Sequence, residues 1–263
     1  MAASTMSCTP RLMQMNPAIV VIPTTGAPEL EQAVRSVLDQ SVPTDVLVIF
    51  DGPGFARPLA LPADERIHTL VLPFNTGANR TARIPESQKQ HWFGARVMCA
   101  AGYLVNNDYA MMLDQDNWLR ADHVATCLAA IESRSAGSLQ WVYALRTIHR
   151  KDGSFVCRDE CESIGPRDGV SGCLIDTSCY FFRTDFLLKT SHLWLWGWGG
   201  DRRFLLRLVQ AYGMDVFKGT GRYTVHYRLG GNEHSTQDES FVVEGNAHMR
   251  AQYGTGILPW AAE

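Results

Sequence analysis

Two carboxylates one residue apart, Asp114 and Asp116 with Gln115 between them, follow directly on the apolar run Tyr109–Leu113. Such a run reads as a buried strand, and in open α/β sheets ligands sit beyond the carboxyl ends of strands. Carboxylates at i and i+2 past a strand can face one divalent cation, and hard oxygen donors suit Mg2+ or Mn2+. A cation held there would neutralise a diphosphate. The competing reading is a solvated acidic loop after a core strand, and the position of the tripeptide behind the fourth strand-type run weighs against it. Asp51 closes another apolar run, Val46–Phe50, ahead of Gly52-Pro53-Gly54. It can accept a hydrogen bond from a nucleobase ring N–H or a ribose hydroxyl, or it can simply start the turn. Gly199-Gly200-Asp201 lies where a Trp-rich stretch meets a helix. Asp201 is placed to cap that helix or to act as general base on an acceptor hydroxyl. Trp194, Trp196 and Trp198 are either platforms for a ligand or packing between two halves of the fold. His226 alternates within Val225–Arg228, so it faces a site or a core; it is a third metal ligand only if Asp116 is another.

The elements that must position these residues follow from periodicity. Ala18–Ile22, Val46–Phe50, Ile67–Leu72 and Tyr109–Leu113 read as strands. Leu30, Val34, Val37 and Leu38 fall on one helical face, with Pro28 in the first turn. Residues 18–50 are therefore a βαβ unit with a right-handed crossover. A second helix is expected from Glu86 to about Val105, and a third behind an Asp122 cap with Val124, Cys127, Leu128 and Ile131 on its apolar face. Beyond residue 138 the pattern becomes mixed. Trp141–Ile148, Phe155–Arg158, Ser178–Arg183, Val216–Lys218 and Tyr223–Tyr227 read as strands, and a helix after Gly200 carries Phe204, Leu205, Leu208 and Val209 on one face. The expected architecture is α/β: a Rossmann-like, mostly parallel central sheet flanked by helices, with a mixed C-terminal half of the same fold. The expected division is a flexible lead-in over 1–16, a doubly wound half over 17–135, a mixed half over 136–230 and a C-terminal extension over 231–263.

Composition narrows the functional classes. The 263 residues carry 24 Lys and Arg against 27 Asp and Glu, a net charge of −3, so no broad basic surface serves duplex DNA. No stretch has 18 consecutive apolar residues and the N-terminus lacks a signal-peptide core, so a soluble, cytoplasmic protein without a membrane span is expected. Seven cysteines cannot all pair, and the scattered thiols read mostly as small buried hydrophobes. Zinc in the Cys157–Cys179 region is a lesser option, because no C-x2-C pair is present.

These signals, in this order, resemble the family 2 glycosyltransferases of the GT-A fold. Ala18–Gln40 is similar to that family's opening strand, Pro-Thr turn and first helix, and Val46–Gly52 to its second strand and Asp-Gly turn. Asn75-Thr76-Gly77 resembles its Asn-x-Gly loop, Asp114-Gln115-Asp116 its D-x-D motif, Gly200-Asp201 its acidic segment before the last helix, and Tyr227-Arg228 its closing pair. The resemblance spans roughly residues 17–230 and implies a nucleotide-sugar-binding half over 17–135 and an acceptor-binding half over 136–230. It implies transfer of a sugar from a nucleotide-sugar, often UDP-linked, with inversion at the anomeric carbon. It places Pro23, Thr24, Asp51, Asn75, Gly77, Arg96, Asp114 and Gln115 at the nucleotide-sugar. Asp116 and His226 would hold Mn2+ or Mg2+, Asp201 would be the base, and Trp194, Trp196, Trp198 and Gly200 would meet the acceptor. Gly200 departs from the pattern, since an acid usually precedes the base.

The acceptor is left open between a saccharide, a lipid-linked headgroup and a modified nucleic-acid base. The last would make this a DNA-modifying enzyme acting on a hydroxylated base. Arg80, Arg83, Lys89, His149, Arg150, Lys151, Arg158 and Arg167 motivate it, and Asp159, Glu160 and Glu162 oppose it. Two other readings are a nucleotidyltransferase, weakened by a first loop (Pro23–Pro28) with no basic residue, and a non-catalytic nucleotide-sugar-binding module, disfavoured by the intact Asp114, Asp116 and Asp201.

Overall fold

A computed structural model describes residues 15–55, 61–77, 94–133, 138–166, 174–196, 199–230 and 238–262. Strand β1 (Ala18–Thr24) is buried almost throughout because it lies between two others: it pairs in parallel with β2 (Thr44–Phe50) and with β4 (Tyr109–Met112). A strand covered on both faces and hydrogen-bonded on both edges has no use for polar alternation, hence AIVVI. Strand β3 (Ile67–Val71) pairs with β2 at the edge and shows the expected exposed positions. Strand β2 begins at Thr44, earlier than its apolar run. Asn16 Nδ2 and Asn107 Nδ2 donate to the Asp45 carboxylate at 2.6 and 2.8 Å, so an acid can open a buried strand.

Helix α1 (Leu30–Leu38) buries Leu30, Ala33, Val34 and Val37, the predicted stripe advanced by one small residue. Of the second expected helix, α2 (Ala95–Leu104) is described; residues 86–93 lie outside the described residues. Strand β5 (Trp118–Leu119) precedes α3 (His123–Ile131). Asp122 stands before α3 but does not cap it with its side chain, because both carboxylate oxygens bind the Arg120 guanidinium, at 2.5 and 2.7 Å. Strands β6 (Trp141–His149), β7 (Phe155–Arg158) and β8 (Tyr180–Arg183) follow, then an unanticipated helix α4 (Thr184–Thr190) and helix α5 (Gly200–Tyr212). The two expected strands at 216–218 and 223–227 are one strand, β9 (Phe217–Arg228), whose pairing with β6 shifts register in the middle. Gly219 and Gly221 lie at the register shift, where a Cβ on Gly219 would lie 2.9 Å from the Tyr143 ring.

The sheet runs β3-β2-β1-β4-β8-β6-β9-β5, with β7 on β6. Its first four strands are parallel; β8 joins β4 antiparallel and opens the mixed half, in which only β6 and β9 are parallel. The molecule is thus a mixed α/β fold with a broadly Rossmann-like sheet flanked by helices. Helix α6 (Glu239–Tyr253) and the residues after it pack on the second half, burying Met249, Leu258 and Trp260. Residues 1–14 of the expected lead-in lie outside the described residues. Among the described residues no helix is long and apolar enough to cross a membrane.

Candidate functional site

The D-x-D residues occupy the turn that leaves β4 at its carboxyl end. Ser178 Oγ, from the short helical turn before β8, accepts from the Asp114 amide at 3.2 Å and from Asn117 Nδ2 at 3.0 Å. From the far end of β9, Arg228 donates Nε to the Asp116 carbonyl and its amide to Asn117 Oδ1, both at 3.1 Å. The turn is therefore held by the backbone, by Asn117 and by Ser178, whose side chain also bonds the Asp114 carboxyl. Gln115 points the opposite way. Its Oε1 accepts from Thr24 Oγ1 at 2.6 Å and from the Thr25 amide at 2.9 Å, binding the D-x-D turn to the turn after β1.

Asp51 is spent on the neighbouring loop. Its Oδ1 accepts from the Thr76 amide at 2.7 Å, and Asn75 Nδ2 reaches its carbonyl at 3.0 Å and Oδ2 at 3.3 Å. Asn75 Oδ1 in turn accepts from the Gly77 amide at 3.1 Å. Asp51, Asn75 and Gly77 are thus brought together as one cradle, in which Asp51 organises the loop. A Cβ on Gly94, at the start of α2, would lie 3.5 Å from the Pro23 side chain, so the exposed Arg96 rises from a helix end packed on β1.

Asp201 lies in the first turn of α5. The cap itself is Gly199, with φ +73°, and Asp201 Oδ1 accepts from the Arg202 amide at 2.7 Å. Asp201 is therefore not the cap residue, although its carboxylate still accepts from a first-turn amide. Burial, then the charges of Asp176, Asp116 and Asp201, raise the Asp114 carboxyl well above the usual range. Burial, together with Asp176 and Glu29, raises Asp116 to about 6. Burial and Asp176 also raise Asp201, against the pull of Arg146 and Arg202. Four acids from three stretches of chain thus act on one another beyond the ends of β4 and β8.

The sequence reading missed Asp176 and its partner. Arg146 is buried within β6, and its guanidinium binds Asp159, Asp176 and Glu162 at 2.7, 2.7 and 2.8 Å. It lies 4.2 Å over the Tyr227 ring. The available signal was an arginine inside the apolar run WVYALRTI, since a cation almost never enters a core unpaired.

His226 is not brought to the acids. Side chains alternate along a strand, and Tyr227 takes the Arg146 face of β9. His226 takes the other, with Trp118 stacked on it at 5.0 Å, Thr147 Oγ1 at 2.8 Å and His149 Nε2 at 3.1 Å from its Nδ1. Burial and His149 lower its pKa to about 4. Trp194 is a core residue, stacked on Phe204 at 3.8 Å, so packing rather than a ligand platform explains it. Trp196 lies under Arg203 and Arg207, at 4.0 and 5.3 Å. Gly200 opens α5 beside Trp196, and Trp198 lies outside the described residues. Of the basic residues, Arg150 is paired with Glu239 and Arg158 lies over Tyr223, while Arg80, Arg83, Lys89 and Arg167 lie outside the described residues. Cys157 and Cys161 are free thiols, touching Asn246 and Asp159 at 3.4 and 3.6 Å; Cys179 is free and buried.

Among the described residues no three His, Cys, Asp or Glu side chains form a ligand set for a metal ion. A catalytic Mg2+ needs fewer from the protein, since it is commonly held by one or two carboxylates and the substrate's own phosphates. Asp114 and Asp116 fit that requirement: hard oxygen donors whose mutual repulsion and burial a cation would relieve.

No family model matches the chain, and no curated protein matches it in sequence. Solved structures do match in fold. S. aureus TarS 1–349 in complex with UDP superposes with a TM-score of 0.51 at 11% identity, over 90% of this chain and 71% of that one. The complex with UDP-GlcNAc gives 0.50 at 13%, over 92% and 67%, and a longer TarS chain gives 0.53 at 12%, over 90% and 43%. At such identities the likeness is one of fold: this chain has a TarS-like fold.

Proposed function

We propose that the protein is a glycosyltransferase of the GT-A type, which moves a sugar from a nucleotide-sugar, UDP-linked, to an acceptor hydroxyl with inversion. The observation that carries the reading is the placement of Asp114 and Asp116 on the turn beyond the carboxyl end of β4, held by Ser178 and Arg228, with Asp201 at the start of α5 near enough to raise the Asp114 carboxyl. The TarS structures with UDP and UDP-GlcNAc, which share the fold, support the choice of donor.

In this reading Asp201 takes the proton of the acceptor hydroxyl as its oxygen attacks the anomeric carbon from the face opposite the leaving diphosphate. Its raised pKa makes it a better proton acceptor than an ordinary aspartate, and Arg146 and Arg202 oppose that rise. Asp114 and Asp116 would hold a Mn2+ or Mg2+ ion, which supplies positive charge to the departing diphosphate. Thr24 and the cradle of Asp51, Asn75 and Gly77 line the nucleoside side, and Gln115 keeps the two turns together.

The test is thermal denaturation with UDP, UDP-GlcNAc and other nucleotide-sugars, each with and without Mn2+. A ligand bound only by the native state raises the melting temperature. A rise with UDP that grows with Mn2+, together with release of UDP in the presence of an acceptor, is the expected result. No response to any nucleotide-sugar with Mn2+ present overturns the reading. Binding without turnover would leave a nucleotide-sugar-binding module.

A further inference from the structure

One buried guanidinium reaches both sides of the carboxylate cluster. Arg146 Nη1 donates to Asp176 Oδ2 at 2.7 Å; Asp176 Oδ1 accepts from the Ser178 amide at 2.9 Å, and Ser178 Oγ accepts from the Asp114 amide at 3.2 Å. That arm ends on the D-x-D turn. On the other side Nη2 donates to Glu162 Oε2 at 2.8 Å, and Glu162 Oε1 accepts from Arg202 Nη2 at 3.0 Å. That arm ends one residue from Asp201. The third contact, Nε to Asp159 at 2.7 Å, is an anchor, because the Asp159 carboxylate also accepts from the amides of Cys161, Glu162 and Ser163 at 3.1, 2.9 and 3.1 Å.

A planar group with donors in fixed directions can hold three carboxylates in a fixed relation; an ammonium is a point charge on a flexible stem and cannot. A burial this expensive is not needed for packing, since well-packed apolar residues stabilise a core as well or better. We propose that Arg146 is a positioning residue that holds the D-x-D turn and the start of α5 in one register, so that donor binding and proton removal are aligned by a single buried side chain. Its consequence for turnover rests on the glycosyltransferase reading above; the mechanical coupling does not.

Three variants separate the arms. Ser178→Ala cuts the arm to Asp114, Glu162→Gln weakens the arm to Arg202, and Arg146→Lys disturbs both. Ser178→Ala should weaken UDP binding about tenfold by calorimetry and change kcat less than twofold. Glu162→Gln should lower kcat about tenfold and leave UDP affinity unchanged. Amide exchange read by mass spectrometry should rise at 113–118 alone in the first, at 200–205 alone in the second, and at both in Arg146→Lys. Equal effects of both single-arm variants on affinity and on kcat, or exchange confined to one segment in Arg146→Lys, would overturn the proposal. Should Arg146→Lys not fold, the two single-arm variants carry the same decision. A wild-type protein that binds no UDP and transfers no sugar would sink the glycosyltransferase reading, and the exchange pattern would still decide the coupling.

Discussion

At the scale of single residues, the acids beyond β4 are costly to the fold, and that cost is what marks them. Asp116, held near a pKa of 6 by burial and neighbouring charge, is ionised at neutrality against its surroundings. Asp116→Asn should therefore stabilise the unliganded protein, by about 3 kcal/mol at pH 7 from a shift of roughly two units, and abolish the Mn2+-dependent thermal shift with UDP. A melting temperature that falls, or a ligand response that persists, would count against the assignment. Asp201→Asn keeps the shape and removes the base. It should cut kcat by about 10²–10⁴-fold and leave UDP affinity intact, as initial rates and calorimetry can check; near-normal turnover would show that the base lies elsewhere. Asp114, Asp116 and Asp201 were legible because each ends an apolar run or opens a helix. Asp176 and Arg146 were not, because their pairing joins positions 30 apart in sequence and no periodicity reports such a pair.

At the scale of elements, the parallel half was readable for a physical reason. Strands covered on both faces are unbroken apolar runs, and α1 shows its buried stripe at i, i+4 and i+7. Helix α4 escaped notice because it buries only Phe186, Leu187 and Thr190 in TDFLLKT, too few residues to set a period. It packs against α2 at Gly102, where a Cβ would lie 3.0 Å from the Leu187 carbonyl oxygen and the Leu188 Cα. Backbone atoms cannot swing aside as a side-chain tip can, so Gly102→Ala should cost about 1–3 kcal/mol despite alanine's better helix propensity. Urea denaturation measures this, and a stabilised variant would mean that the two helices can slide apart freely. His226 shows the opposite failure. Its position in a strand-like run was read correctly, but the face it takes is decided by the register of β9 on β6, which a bulge resets.

At the scale of the whole molecule, buried neutral histidines set the acid limit of stability. Burial lowers the pKa of His123 to about 3 from its ordinary 6.5, and that of His226 to about 4. Above pH 6.5 neither folded nor unfolded chain protonates them, and their contribution to stability is complete. Below it the unfolded chain takes up the protons and the folded one does not, so stability falls by about 1.4 kcal/mol per pH unit for each. The fall from His123 ends only near pH 3. Asp116 works in the opposite sense between about pH 6 and 3.8, so the measurement is a comparison of melting temperatures for wild type and His123→Asn from pH 7.5 to 5. The variant should show the shallower decline; identical slopes would refute the role of His123. The strand order has a further consequence, for synthesis. The parallel strands β1 to β4 complete their mutual pairing once residue 112 is made. By contrast, among the described residues β5 pairs only with β9, and Arg228 at that strand's last position also binds the D-x-D turn. A nascent chain therefore carries its acids on a turn that Gln115 already ties to Thr24 and Thr25, but that gains its Arg228 contacts only when more than a hundred later residues have left the ribosome.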